Sequence, residues 1–207
     1  MRDTRDYAMT DPAQVRDLIA SAPWGTMVSA TDDGLVASHY PFILEEDGDD
    51  LVVVSHVGRP DERLHGLGDR ELLVIFEGPY GYISPGWYGV SPAVPTWNFA
   101  VVHAYGTPEI LSDEENLAVL ERLVDHFEKP LPEPFGMRID AANSAYADRI
   151  VHGTVGFRMR IERFVAKEKM SQDKPREVVE RIVGQLEQPG AYANAPLAER
   201  MRRLHGL

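Results

Sequence analysis

Six runs of β-branched or alternating apolar residues, separated by short polar punctuation, restrict this chain to an antiparallel architecture. WGTMVSAT and LVASHYPFIL are joined by Asp33-Gly34, a pair that tolerates the positive φ angles of a tight hairpin. LVVVSHV at 51–57, ELLVIFEG at 71–78 and TWNFAVVHAYG at 96–106 follow. The sixth run, TVGFRMRIERF at 154–164, alternates at Val155, Phe157, Met159 and Ile161, the period of a half-buried strand. Consecutive strands joined mostly by short turns, with few helices, read as a closed or partly closed antiparallel barrel with helices outside. No G-x-G-x-x-G follows the first strand and there is no Walker sequence, so a parallel nucleotide-binding sheet has no support.

Helices are marked by their caps. Asp11-Pro12 opens one with Val15, Leu18 and Ile19 at helical spacing. GRPDERLHGLGD is long enough for about one helical turn between two strands. Ser112 and Glu115 form a capping box ahead of Leu117, Leu120, Leu123, Val124 and Phe127. Tyr146, Ile150 and Val151 predict a short helix closed by Gly153, and Pro175 starts an amphipathic helix carrying Val178, Val179, Ile182 and Leu186. The expected organisation is a barrel over residues 1–168 with a C-terminal helical segment, 169–207, in the same domain.

Composition excludes several chemistries. With no cysteine among 207 residues, disulfides, thiolate catalysis and cysteine-ligated metal centres are ruled out. A formal charge of −12 argues against a surface built to neutralise phosphates of DNA, and no helix-turn-helix is recognisable. No apolar run of about 18 residues spans a bilayer and MRDTRDYAMT lacks a signal-like apolar stretch, so no membrane partner and a cytoplasmic location are expected. EEDGDD at 45–50 reads as a solvated acidic turn. Arg158, Arg160, Arg163, Lys167, Lys169, Lys174 and Arg176 form a local basic excess suited to an anionic ligand.

Residues 78–106, GPYGYISPGWYGVSPAVPTWNFAVVHAYG, hold two tryptophans, four tyrosines, four prolines and no charged residue. Such a stretch makes either an aromatic core with prolines in its turns or a stiff wall for a planar ligand. Asn98 and His103 among the aromatics favour the ligand, because buried polar groups need partners.

LVASHYPF, SHVGRPDE, GPYGYISPGWY, VPTWNF, VHAYG, HGTVGF and KMSQDKP occur in this order between about Asp11 and Gly184, and together they resemble the PaiB family of FMN-binding proteins, usually labelled negative transcriptional regulators. The resemblance implies a mainly β, α+β fold: a six-stranded antiparallel split β-barrel of the FMN-binding type, with peripheral helices, a homodimer and a cofactor at the dimer interface. It also implies that Ser38, His39, Ser55 and His56 donate to the phosphate and ribityl chain, and that Arg59 and Arg63 pair with a phosphate or carboxylate. Tyr82, Ser84, Trp97 and Asn98 would frame the ring, and Lys169, Ser171 and Gln172 would reach it from the K-x-S-Q segment. For that segment a plain helix entry, capped by Ser171 or Asp173, is the alternative.

Two departures from the family pattern bear on the cofactor. Tyr80 stands where many members have His, and Asp173 where many have Asn. Some relatives of the family are haem proteins, including piperazate synthases that form an N–N bond in an N-hydroxylated ornithine, so haem b is the alternative cofactor. An axial ligand would then be His56 or His65, which bracket a loop at the expected cofactor groove, rather than His39 or His103, strand histidines of the sort that mostly bond within the core. Three functions follow: an FMN-dependent redox protein acting on a small molecule, a haem enzyme with Lys169 or Asp173 assisting proton transfer, and a ligand-sensing transcriptional regulator.

Overall fold

In a computed structural model the chain is described at residues 5–45 and 50–207. Most of the acidic turn expected at 45–50 lies outside the described residues. The strands are β1 (Ala8–Met9), β2 (Trp24–Thr31), β3 (Gly34–Pro41), β4 (Ile43–Leu44), β5 (Val52–Gly58), β6 (Leu72–Ile83), β7 (Thr96–Gly106), β8 (Pro108–Ile110), β9 (Thr154–Arg160) and β10 (Arg163–Lys169). The helices are α1 (Pro12–Ser21), α2 (Arg59–His65), α3 (Asp113–Glu128), α4 (Ala141–Ile150), α5 (Arg176–Glu187) and α6 (Ala195–His205).

The chain forms two compact units. The first takes the described residues up to Leu18, Glu77–Val102 and Val165–Leu207, and the second Ile19–Phe76 and His103–Phe164. The long strands β6 and β7 run through both. The C-terminal segment thus shares a unit with the aromatic stretch.

In the first unit the strand order is β1-β10-β7-β6, with Ala8 opposite Lys167. Gly78 lets α1 approach β6, since a Cβ there would stand 2.5 Å from Leu18 Cδ1. α5 and α6 pack on each other. They bury Val178, Val179, Ile182, Val183 and Leu186 from the former and Leu197, Ala198 and Met201 from the latter.

In the second unit β2 pairs antiparallel with β6 on one side and with β3, across the Asp33-Gly34 hairpin, on the other. A separate four-stranded sheet has the order β4-β5-β9-β8. Phe42 meets Phe76 and Phe157 edge-on at 5.4 and 6.0 Å, an arrangement aromatic quadrupoles favour. Val119 and Leu123 of α3 cluster with Ile43, Val54 and Leu111. The capping box of α3 is complete, with Ser112 and Glu115 each accepting from the other's backbone.

The sixth expected strand is two strands. The backbone leaves β9 at Ile161 and Glu162, whose amides bond Leu51 O and Tyr105 O, and continues as β10 in a different sheet. The expected single alternating run therefore holds only to Arg160. The sheets are antiparallel and open rather than closed into a continuous barrel.

Candidate functional site

The first unit carries an aromatic wall. Tyr80 and Tyr82 alternate along β6 and so share a face, and Trp97 comes from the neighbouring strand β7. Trp97 lies 6.4 Å from Tyr80 at an interplanar angle of 34°, and 6.1 Å from Tyr82, edge-on. Tyr192, from the loop before α6, extends the strip at 5.3 Å from Tyr82, and Trp87 meets Tyr192 at 6.3 Å. Asn194 Nδ2 donates to Tyr80 O, fixing that loop to β6. More than half of Trp97 and of Tyr80 is open to solvent, at 54% and 58%. Core aromatics are not left this way, and a contiguous exposed apolar strip marks a binding surface.

Lys169 stands beside the wall. Its Nζ donates to Thr96 Oγ1, next to Trp97, and lies 5.8 Å from the centre of the Tyr7 ring. The rest of the K-x-S-Q segment is a tight turn held from within. Ser171 adopts φ 63°, a left-handed conformation unusual for a residue with a Cβ. It is buried and exchanges hydrogen bonds with Asn98, its Oγ accepting from Nδ2 at 2.9 Å and donating to Oδ1 at 3.2 Å. Gln172 braces the turn, accepting from Met170 N and donating to Glu168 O, both at 2.6 Å. Asn98 and Ser171 are thus a buried pair and Gln172 a half-buried brace of the same turn, their polar groups engaged by the chain itself. Ser84 Oγ accepts from Gly86 N and caps the short 3-10 turn Pro85–Trp87. Asp173 sits 2.5 Å from Lys174 Nζ. Burial pushes its carboxyl up, but the Lys174 hydrogen bond and charge outweigh this and hold it below the ordinary aspartate value. The N-cap of α5 is Pro175, so neither Ser171 nor Asp173 serves as that cap.

The second unit gathers the other predicted residues. His65, fully buried at the end of α2, contacts Ser29 Oγ through Nδ1 at 2.8 Å and Ser38 Oγ through Nε2 at 3.0 Å. It pins α2 to β2 and β3, and with both nitrogens engaged it has the surroundings of a structural histidine. Burial lowers its pKa, with Asp61 pulling weakly the other way. Ser55 is buried and donates to Pro41 O at 2.7 Å, while His39 points to solvent. Arg59 Nε donates to His152 O at 2.5 Å, with Glu62 and Asp113 each 3.8 Å from its guanidinium. Arg63 is exposed and makes no ion pair among the described residues.

His56 differs from these: its Nδ1 is buried without a hydrogen-bond partner among the described residues, and burial lowers its pKa. Its ring meets Tyr40 edge-on at 6.3 Å. Tyr40, which the motif reading passed over, donates to Asp61 Oδ2 at 2.6 Å and accepts from Gly58 N at 3.5 Å. Burial, then the Asp61 hydrogen bond, raise its phenol. Tyr40 and Asp61 both fall inside the quoted motifs SHYPF and GRPDE. Tyr192 falls in none and had no sequence signal.

The basic excess expected to face an anion is mostly paired internally: Arg158 with Glu45, Arg160 with Asp50, Arg163 with Glu71, Lys174 with Asp173 and Arg176 with Glu180. Arg158, Arg160 and Arg163, on β9 and β10, meet acidic partners far away in sequence, whereas Lys174 and Arg176 pair with near neighbours.

Antiparallel open sheets with peripheral helices and an exposed aromatic wall define the class, a flavin-type split barrel. Solved structures agree on the fold. The FAD and heme binding protein from Mycobacterium smegmatis superposes with a TM-score of 0.58 at 17% identity, over 84% of this chain and 78% of its own. The flavocytochrome Anf3 from Azotobacter vinelandii gives 0.60 at 15% identity, over 86% and 78%.

The family model described as "Putative FMN-binding domain" matches residues 1–163, and the chain belongs to that family. It is 28% identical over 198 residues to the Protease synthase and sporulation protein PAI 2 of Bacillus subtilis, covering 93% of this chain and 94% of the relative. The PaiB resemblance thereby holds. An uncharacterized Aspergillus fumigatus protein, AFUA_5G13800, is 30% identical over 95% of this chain and 94% of its own.

A flavin mononucleotide needs an apolar plane for its ring, donors for its carbonyl rim and a cation or imidazole for its phosphate. In the first unit the wall and Lys169 supply such a plane and such a donor, so its residues fit the ring of the group; in the second unit Arg63 and His56 are, by kind alone, phosphate partners.

Proposed function

We propose that this protein binds FMN and uses it in a redox step on a small molecule, as a homodimer. The half-exposed Trp97–Tyr80–Tyr82 wall carries this reading. In it the ring rests on Trp97 and Lys169 offers its ammonium to the rim. Tyr82 and Tyr192 exclude water from one edge. Bound flavin supplies reversible one- and two-electron chemistry, and the chain supplies orientation and electrostatics. The brace of Asn98, Ser171 and Gln172 keeps Lys169 in place.

A haem is the second reading, favoured by one observation: His56 has a buried ring nitrogen without a hydrogen-bond partner among the described residues. An absorption spectrum separates the two. Purified protein is expected to show bands near roughly 370 and 450 nm, while a single intense band near about 400 nm replaces them if haem is bound. Trp97→Ala is expected to weaken FMN binding about tenfold by titration calorimetry, the scale of losing one stacking partner. Unchanged affinity in a folded variant would remove the wall from the site.

A further inference from the structure

Glu168 and Lys169 are consecutive on β10, so their side chains leave opposite faces of the strand. Lys169 stands beside the aromatic wall, and Glu168 lines a separate cavity of about 470 Å³ in the first unit. Ala13 and Asp17 of α1 and Arg203 and Leu204 of α6 line it too, together with Arg200. Glu168 and Arg200 are its most buried members, 9% and 6% exposed, and they form an ion pair in which Arg200 Nε donates to Glu168 Oε1.

Half of this pair's hydrogen-bonding capacity is unused. Arg200 Nη1 and Nη2 and Glu168 Oε2 have no hydrogen bond among the described residues. All three atoms remain open to solvent, unlike the sealed Tyr88 hydroxyl. In residues so deeply buried, the cavity they line is the way in. A buried ion pair adds little or no stability over well-packed apolar side chains, so stability does not account for this one.

Free donors on Arg200 beside a free acceptor on Glu168 call for the reverse order in a ligand, an acceptor beside a donor. A carboxylate supplies acceptors alone and an amidinium donors alone. The cis edge of an amide, C=O next to N–H, supplies both. Charge points the same way. Arg203 Nη2 lies 2.9 Å from Asp17 Oδ2, so the two cations of the lining are matched by its two anions. A charged ligand of either sign would leave one charge in excess, and a neutral one would not. Ala13 and Leu204 offer apolar contact next to these groups.

We infer that this cavity binds a small neutral carboxamide or lactam, its carbonyl oxygen accepting from Arg200 and its N–H donating to Glu168. The site lies apart from the flavin wall and does not depend on it.

Benzamide, benzoate and benzamidine share a ring and present a neutral, an anionic and a cationic group. In NMR titrations of the full chain, benzamide is expected to bind about tenfold more tightly than either, the scale of one hydrogen bond to a charged group. Ala13→Trp, at an exposed position of the lining, should weaken benzamide by a similar factor while leaving the ion pair intact. Glu168→Gln trades the free acceptor for a donor and leaves Arg200 unmatched, so benzoate should then bind more tightly than benzamide. Trp97→Ala should leave benzamide binding unchanged, which separates this cavity from the flavin wall. Absence of benzamide binding, a preference for benzoate or benzamidine in the unaltered chain, or an affinity that ignores Ala13→Trp overturns the assignment. An order of affinities that survives Glu168→Gln does the same, and if that variant fails to fold, the three-probe order and Ala13→Trp decide. Loss of benzamide binding in Trp97→Ala would place the probe on the wall and also overturn it.

Discussion

His65 shows how one residue ties local chemistry to stability. Replacing it by alanine removes two hydrogen bonds, orphans Ser29 and Ser38, and opens a fully buried space. His65→Ala is expected to destabilise by about 2–4 kcal/mol, read from the urea midpoint. Acid acts on the same ring. Both His56 and His65 have lowered folded-state pKa values, so the unfolded chain takes up their protons first. Their stabilising contribution is complete above the unfolded histidine value of about 6.5 and is lost as pH falls from there through the depressed folded values. Thermal midpoints measured from pH 7.5 down to about 5 should fall more steeply for the natural chain than for the His65 variant. A parallel fall would mean other groups carry the acid sensitivity. Asn98 teaches the same lesson about reading sequence. It lies in phase with Ala100, Val102 and Ala104, all buried, so its inward direction was written in the alternation. Its partner Ser171 is 73 residues away and left no such trace.

At the scale of elements, close approaches decide more than propensities. A Cβ at Gly106 would overlap the carbonyl oxygen of Arg160, where β7 ends beside the exit from β9. Backbone cannot rotate away as a side chain can. Gly106→Ala is therefore expected to cost about 3 kcal/mol or more, seen as a lower urea midpoint with an unchanged slope. Ser112→Ala, which breaks the α3 capping box, should cost only about 1 kcal/mol. The capping box, the hairpin and the starts of α1 and α5 were legible because each depends on neighbours within a few residues. α6 is harder to read from the sequence, although Asn194 caps it, a proline sits in its first turn and Gly206 ends it in the left-handed region. Its short apolar stripe is interrupted by charged residues, and its stability comes from packing on α5.

For the whole molecule, a dimer and a bound cofactor are linked expectations. Sedimentation should give twice the 23.2 kDa chain mass. Saturating FMN, at about 100 times its dissociation constant, should add about 2.7 kcal/mol to stability and raise the thermal midpoint. A monomer whose melting ignores FMN would contradict the proposed function at its base. No described helix is long and apolar enough to cross a membrane.

The amino-acid sequence by itself determined the antiparallel class, the long strands, most helix starts and the family, because period, caps and collinear motifs are local properties of the chain. Only the tertiary structure decided which polar residues face each other and which aromatics stay open. It closed His65 between two serines, locked Asn98 onto Ser171, left the Trp97 wall open, and buried His56 Nδ1 without a hydrogen-bond partner among the described residues. Hydrogen bonds and burial depend on residues distant in the chain, and a one-dimensional pattern carries no record of that distance.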